Sequence, residues 1–278
     1  MNTGKTIQIF LPDGNPRSIR IAEITSRTIQ AILIPRQKLD DALKRKELES
    51  VGIYFLVGET ESDAKLLAYV GEAECVADRM KQQNKDKEFW AFALVIVSKT
   101  QYFTKTHVKY LEWFCHDCIK KSGRFALDNA TVPTKPHISE AIEADLMDNF
   151  DTIKTLVATL GYPLFDEIIR KDKKETCICK GKEALAEGEY TEDGFVVFKG
   201  STCNLVEAKA SGSWISNMRK QLVDRNILVQ KDTVYEFTTD YIFSSPSAAA
   251  VTVLARNANG WTEWKYTNGK TLDEVHRQ

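Results

Sequence analysis

No stretch of this chain is apolar for the roughly 18 residues that a membrane-spanning helix needs. The longest unbroken apolar run is Phe89–Val97. The opening residues, Met1-Asn2-Thr3-Gly4-Lys5, carry no apolar signal region. The expectation is a chain with no membrane partner. An excess of one charge is also missing: 38 Lys and Arg against 39 Asp and Glu give a net charge of −1. Such a chain does not bind nucleic acid through bulk charge, so any nucleic-acid surface must be local. The six cysteines (75, 115, 118, 177, 179 and 203) are too scattered for a disulfide framework and suit a reducing, cytoplasmic setting. Cys115-His116-Asp117-Cys118 has no second pair at zinc spacing, which excludes a zinc knuckle.

What remains is the composition of an ordinary globular protein, long enough for one large or two modest domains. Charge divides unevenly, at +3 for residues 1–50, −3 for 51–165 and −1 for 166–278. The organising stretch runs from Gly52 to Glu112. Gly52-Ile53-Tyr54-Phe55-Leu56-Val57-Gly58 and Leu66-Leu67-Ala68-Tyr69-Val70-Gly71 flank the polar tip Glu59-Thr60-Glu61-Ser62-Asp63, which predicts a β-hairpin. Antiparallel pairing can then set the phenols of Tyr54 and Tyr69 side by side. Helical spacing follows from Glu72 to Met80 and sends Arg79 back toward the hairpin.

After the apolar strand Ala91–Val97, a helix is expected over about Lys105–Lys121. Val108, Leu111, Phe114, Cys115, Cys118 and Ile119 share one arc of it. Glu112 falls at the margin of that arc, where a carboxylate needs a cation or hydrogen-bond donors to offset its desolvation. Two tyrosines, an arginine and a half-buried carboxylate make a candidate phosphodiester site. The carboxylate can hold a divalent metal, the guanidinium can grip a phosphate, and a phenol can serve the attacking water.

Gly52-Ile53-Tyr54, Tyr69-Val70-Gly71, Arg79, Glu112 and Asn129, in that order, resemble the GIY-YIG nuclease superfamily over residues ~48–165. The resemblance implies a small antiparallel sheet flanked by helices, and an endonuclease that hydrolyses phosphodiester bonds of nucleic acid, with DNA favoured over RNA as the substrate. It implies Mg²⁺ or Mn²⁺ on Glu112 and catalytic roles for Tyr54, Tyr69, Arg79, Glu112 and Asn129. Lys81, Lys85 and Lys109 are expected substrate contacts, with Lys87, Lys99 and Lys105 further basic candidates. The chain departs from the family at Val70, at Glu72 where many relatives carry lysine, and at Gln83 where many carry histidine. Glu72, Gln83 and the near-neutral charge also fit a second reading, a nucleic-acid-binding or adaptor protein with a degenerate site.

The expected fold class is therefore α+β in three parts. Residues 1–47 form a β-rich extension, 48–165 the GIY-YIG domain, and 176–278 a C-terminal α+β module. In the extension, three strand-like runs precede a short helix from Lys38 to about Glu49. Ser139 predicts an N-cap, and residues 150, 153, 156, 157 and 160 a core-facing helical stripe. Lys171–Glu175 is the expected linker. In the C-terminal segment, Ser245-Pro246-Ser247-Ala248-Ala249 predicts a helix start, and Trp261-Thr262-Glu263-Trp264-Lys265-Tyr266 an alternating aromatic strand whose rings could stack bases or lie in a core. The segment resembles an uncharacterised, DUF4357-like module found fused behind GIY-YIG domains. That likeness is carried by the Ser-Pro-Ser-Ala-Ala run, the Trp and Gly269-Lys270-Thr271-Leu272, and it implies a recognition or docking role.

Overall fold

The computed structural model describes residues 4–58, 66–166, 176–191, 194–208 and 213–277. The expected hairpin tip at 59–63 and the linker at 171–175 lie outside them. The chain forms two compact units that divide between residues 168 and 169. No helix among the described residues is long and apolar enough to cross a membrane.

The first unit is built on one sheet. Strands β1 (Ile7–Phe10), β2 (Arg20–Ile24) and β3 (Ile29–Pro35) form a meander. A helical turn, α1 (Leu39–Ala42), leads to β4 (Gly52–Gly58) and β5 (Leu67–Ala73). The expected continuous helix at 38–49 is thus broken, with 3₁₀ turns on either side of α1. Helix α2 (Val76–Asp86), strand β6 (Trp90–Ser98), helix α3 (Lys105–Ser122), strand β7 (Ala126–Leu127) and helix α4 (Glu140–Thr159) complete the unit. Strand order is β1-β2-β3-β6-β4-β5-β7.

This corrects the expectation of a small antiparallel sheet. The sheet has seven strands and is mixed, because β7 lies parallel to β5 while every other pair is antiparallel. The N-terminal meander joins the same sheet through seven paired positions between β3 and β6, from Ile29↔Ser98 to Pro35↔Phe92.

The two-residue period of a strand sorts the core. In β4, Ile53, Phe55 and Val57 face a core with Val108, Leu111 and Ile119 of α3 and Ile153 and Leu156 of α4. Tyr54 and Leu56 face the other way, with Val76 and Met80 of α2. Local signals place the helix ends. Thr104 caps α3 by accepting from the His107 N–H, and Gly123 ends it in the left-handed region at φ 67°, which glycine adopts without a Cβ penalty. Ser139 caps α4 by accepting from the Ile142 N–H.

The second unit contains β8 (Cys177–Lys180), β9 (Leu185–Thr191), β10 (Gly194–Val197), β11 (Thr202–Asn204), α5 (Ser213–Asp224), β12 (Leu228–Lys231), β13 (Val234–Phe237), β14 (Tyr241–Phe243), α6 (Pro246–Leu254), α7 (Gly260–Glu263), β15 (Lys265–Tyr266) and α8 (Leu272–His276). A five-stranded sheet in the order β14-β10-β9-β8-β15 and a three-stranded sheet β11-β13-β12 are both antiparallel. Helix α6 is apolar nearly all round and buried, capped by Ser245 with Pro246 in its first turn. Arg219 of α5, 3 % exposed, donates to the carbonyls of Asn204 and Thr252 at 2.5 and 2.6 Å, tying α5 to β11 and α6.

The expected aromatic strand from Trp261 to Tyr266 is half helix. Asn259 accepts from the Trp261 N–H and caps α7. Gly260 lies so close to α6 that an added Cβ would stand 2.1 Å from the Pro246 carbonyl. The chain therefore turns before it becomes extended, and alternation is lost. Trp264 is fully buried in the core, while Trp261 is half-buried between Tyr190 and Arg277.

Candidate active site

The site gathers at one edge of the first unit's sheet. Strand β7 covers β5 only at Leu67 and Ala68, and among the described residues the rest of that edge has no strand partner. Every second residue of β5 turns its backbone outward there, and each outward group is met differently. Ala68 O accepts from the Asp128 N–H at 2.9 Å. Asn129 brackets Val70, its Oδ1 accepting from the Val70 N–H at 3.1 Å and its Nδ2 donating to the Val70 carbonyl at 2.8 Å. Two residues on, the backbone of Glu72 faces the carboxylate of Glu112 and favours its charged form. Helix α3 thus presents Glu112 at the sheet edge, where the two faces of the sheet meet.

On the α2 face, register places Tyr54 opposite Gly71 and Leu56 opposite Tyr69. The phenols are diagonal neighbours, with ring centroids 6.1 Å apart and planes 35° off parallel. Tyr54 is fully buried and lies flat over Gly71, where a Cβ would stand 2.4 Å from its hydroxyl and 2.5 Å from Cζ. Gly71→Ala therefore forces the ring out of a closed site. The expected cost is about 1–3 kcal/mol of stability, the range for overpacked cores, read as a lower denaturation midpoint. An unchanged midpoint would show that Tyr54 has room to move.

Helix α2 feeds the pair. The Tyr54 hydroxyl accepts from Arg79 Nε at 3.3 Å and from Gln83 Nε2 at 3.1 Å. Two donors are thus directed at the Tyr54 oxygen, and the Tyr69 ring is its neighbour on the same face. Burial, and after it the neighbouring Tyr69, holds Tyr54 protonated well above the ordinary phenol range. Arg79 spends Nη1 on Gln82 Oε1 at 2.8 Å. The charges of Glu72 and Glu112 both act on this guanidinium.

Glu112 is half-buried, and its carboxyl is pushed up to about 7, first by desolvation and then by the Glu72 carboxylate; Arg79 and Lys109 oppose the shift. A bound divalent cation would offset both unfavourable effects. The side chains fit such an ion as a carboxylate at an open edge, flanked by a second carboxylate. Among the described residues there is no group of three or more His, Cys, Asp or Glu side chains arranged for a metal. His116, buried one turn beyond Glu112, is not among the groups that act on that carboxylate.

Tyr54, Tyr69, Arg79 and Glu112 are therefore brought together, and Asn129 joins them through the backbone of β5. The expected lysine contacts divide. Lys109 lies one turn before Glu112 and acts on it electrostatically. Lys81 and Lys85 are exposed and fall about 200° and 240° around α2 from Arg79, away from the phenols. Lys81 pairs instead with Asp78 at 3.1 Å. The roles of Gln83 as a donor to Tyr54 and of Asp128 as a partner for Lys87 are not apparent from sequence. The spacing 79, 83, 87 is the signal that was there to find, since those positions share one stripe of a helix.

All six cysteines are free thiols, and burial raises Cys115, Cys177, Cys179 and Cys203 above the reactive range. Comparison with known families places one part of the chain. Residues 177–276 are a DUF4357 domain, a domain of unknown function. The DUF4357 domain covers the second unit from β8 through α8 and leaves the edge site of the first unit outside it. No comparison identifies a nuclease domain in this chain, and no curated protein or solved structure matches it.

Proposed function

We propose that the first unit is a divalent-metal-dependent endonuclease of the GIY-YIG type, acting on DNA, with the DUF4357 domain as its recognition or docking module. One observation carries the reading. A half-buried carboxylate, Glu112, shares the open edge of β5 with Arg79 and two neighbouring phenols. Glu112 would hold Mg²⁺ or Mn²⁺, which supplies charge neutralisation at the phosphate and at the departing oxygen.

The chain's own residues divide the remaining work. Arg79 has Nη2 left for a phosphate oxygen after serving Tyr54 and Gln82, and its fixed fork suits that acceptor. Tyr69, the half-exposed phenol, meets the attacking water, whereas Tyr54 is sealed from solvent and packs beside Tyr69. Asn129 fixes the β5 backbone on which Tyr69 and Glu72 stand, so its effect on catalysis runs through position.

The test of the metal site is a Mn²⁺ titration followed by electron paramagnetic resonance. One bound Mn²⁺ per chain, displaced by Mg²⁺ and lost in Glu112→Ala, is the expected result. Equal binding by both proteins would remove Glu112 from the site.

A further inference from the structure

Arg79, Gln83 and Lys87 recur every four residues, and the first two meet Tyr54. Lys87, the residue that closes α2, continues the stripe past Tyr54 to Tyr69. Its Nζ stands 4.4 Å from the centre of the Tyr69 ring and 2.5 Å from Asp128 Oδ2. Asp128 is itself held to the sheet, because its N–H donates to Ala68 O at 2.9 Å. The ammonium is thus fixed at the rim of the site, with 22 % of its side chain open to solvent. An ammonium has three N–H donors. Asp128 takes one and the face of Tyr69 lies beside it, so a donor remains for a ligand. At 1.5 Å per residue, Arg79 and Lys87 are separated by about 12 Å along the helix. Set apart in this way, they suit two positions along a ligand, and a chain of phosphates offers acceptors at such a repeat.

We propose that Lys87 is a DNA-backbone contact, its ammonium taking a phosphate neighbouring the one held by Arg79 while Asp128 fixes its place beside Tyr69. The proposal rests on the nuclease reading of the same site and adds to it a substrate contact on the Tyr69 side. The competing account is that Lys87–Asp128 only staples the end of α2 to β7. The two accounts separate because they assign opposite effects to the partners. As a staple, either partner's loss costs the same stability and leaves DNA binding alone. As a phosphate contact, losing Lys87 weakens binding, while losing the Asp128 charge strengthens it.

The experiment is fluorescence anisotropy of a labelled DNA duplex with the full chain in EDTA, over a KCl series. Wild type is compared with Lys87→Met, Lys87→Arg and Asp128→Asn, and thermal melts establish that each is folded. The expected result is a severalfold loss of affinity for Lys87→Met, with a log–log salt slope lower by about 0.9, the value for one phosphate contact. Lys87→Arg should keep the slope, and Asp128→Asn should bind more tightly than wild type. Unchanged affinity and slope in Lys87→Met would overturn the proposal, as would wild type that binds no duplex. Cleavage by wild type with normal binding by Lys87→Met would retire this contact alone. A clear Lys87→Met binding defect in a chain that never cleaves would retire the nuclease reading and leave the contact standing.

Discussion

Glu112→Ala is expected to lower metal-dependent cleavage of DNA by on the order of a thousandfold. Losing the charge stabilisation that a bound metal gives the transition state is a loss of several kcal/mol, and about 4 kcal/mol corresponds to that factor. Glu112→Gln should be equally inactive, because an amide keeps the shape but not the charge. The same variant has a second, opposite signature in stability. The folded carboxyl is raised from 4.5 to about 7, so the folded chain binds this proton more tightly than the unfolded chain does. The stabilisation it brings is fully present below about 4.5 and lost as pH rises through 7. The ionised form therefore costs the metal-free protein on the order of 1–2 kcal/mol at pH 8, the exposed side of the carboxylate being screened by solvent. Metal-free Glu112→Gln should consequently unfold at higher denaturant than wild type at pH 8, nearly level with it at pH 4.5, and lose most of its advantage when Mn²⁺ is added to wild type. A gap of the same size at both pH values would contradict the assigned burial of Glu112.

Trp264→Ala is expected to cost about 3–5 kcal/mol in the second unit, the range for deleting a large buried aromatic. The indole is fully buried, packs on Phe195 with ring centroids 4.3 Å apart, and donates to the Pro246 carbonyl at 3.1 Å. Its removal leaves a cavity between β10 and the start of α6 and strands a buried carbonyl without its donor. A loss of that size is a large part of the 5–15 kcal/mol typical of a domain. Trp261→Ala should cost about 1 kcal/mol or less, because Trp261 is half-exposed and its partner Arg277, 3.6 Å from the ring, is itself largely solvated. Denaturation of the full chain followed by circular dichroism compares the two. Similar losses for both tryptophans would mean that the side chain carrying the core has been misassigned.

These tryptophans also mark where the sequence stops being legible. Alternation of aromatic and polar residues from 261 to 266 is a sound strand signal locally. It is overridden by Asn259 capping a turn and by the tight approach of Gly260 to Pro246, a residue 14 positions earlier. Signals that act over a few residues survived. The hairpin pairing of Gly52–Gly58 with Leu67–Ala73 and the caps at Ser139 and Ser245 follow from short-range chemistry. The continuity of the seven-stranded sheet does not, since it depends on β3 finding β6 across some 60 residues of chain. The candidate site divides in the same way. Tyr54, Tyr69, Arg79 and Glu112 were visible as a spaced set, and they converge. What surrounds them depends on long-range partners: Asn129 on Val70, Asp128 on Lys87, and Glu72 close enough to press on Glu112.

The central claim is that this edge of β5 hydrolyses phosphodiester bonds with a divalent metal. Its most direct test is the fate of supercoiled plasmid incubated with the full chain in Mg²⁺ or Mn²⁺, with EDTA and Glu112→Ala as controls. Nicked or linear product that forms with wild type and metal, and is absent from both controls, is the predicted result. Plasmid that stays supercoiled with wild type, or is cut equally by Glu112→Ala, would contradict it.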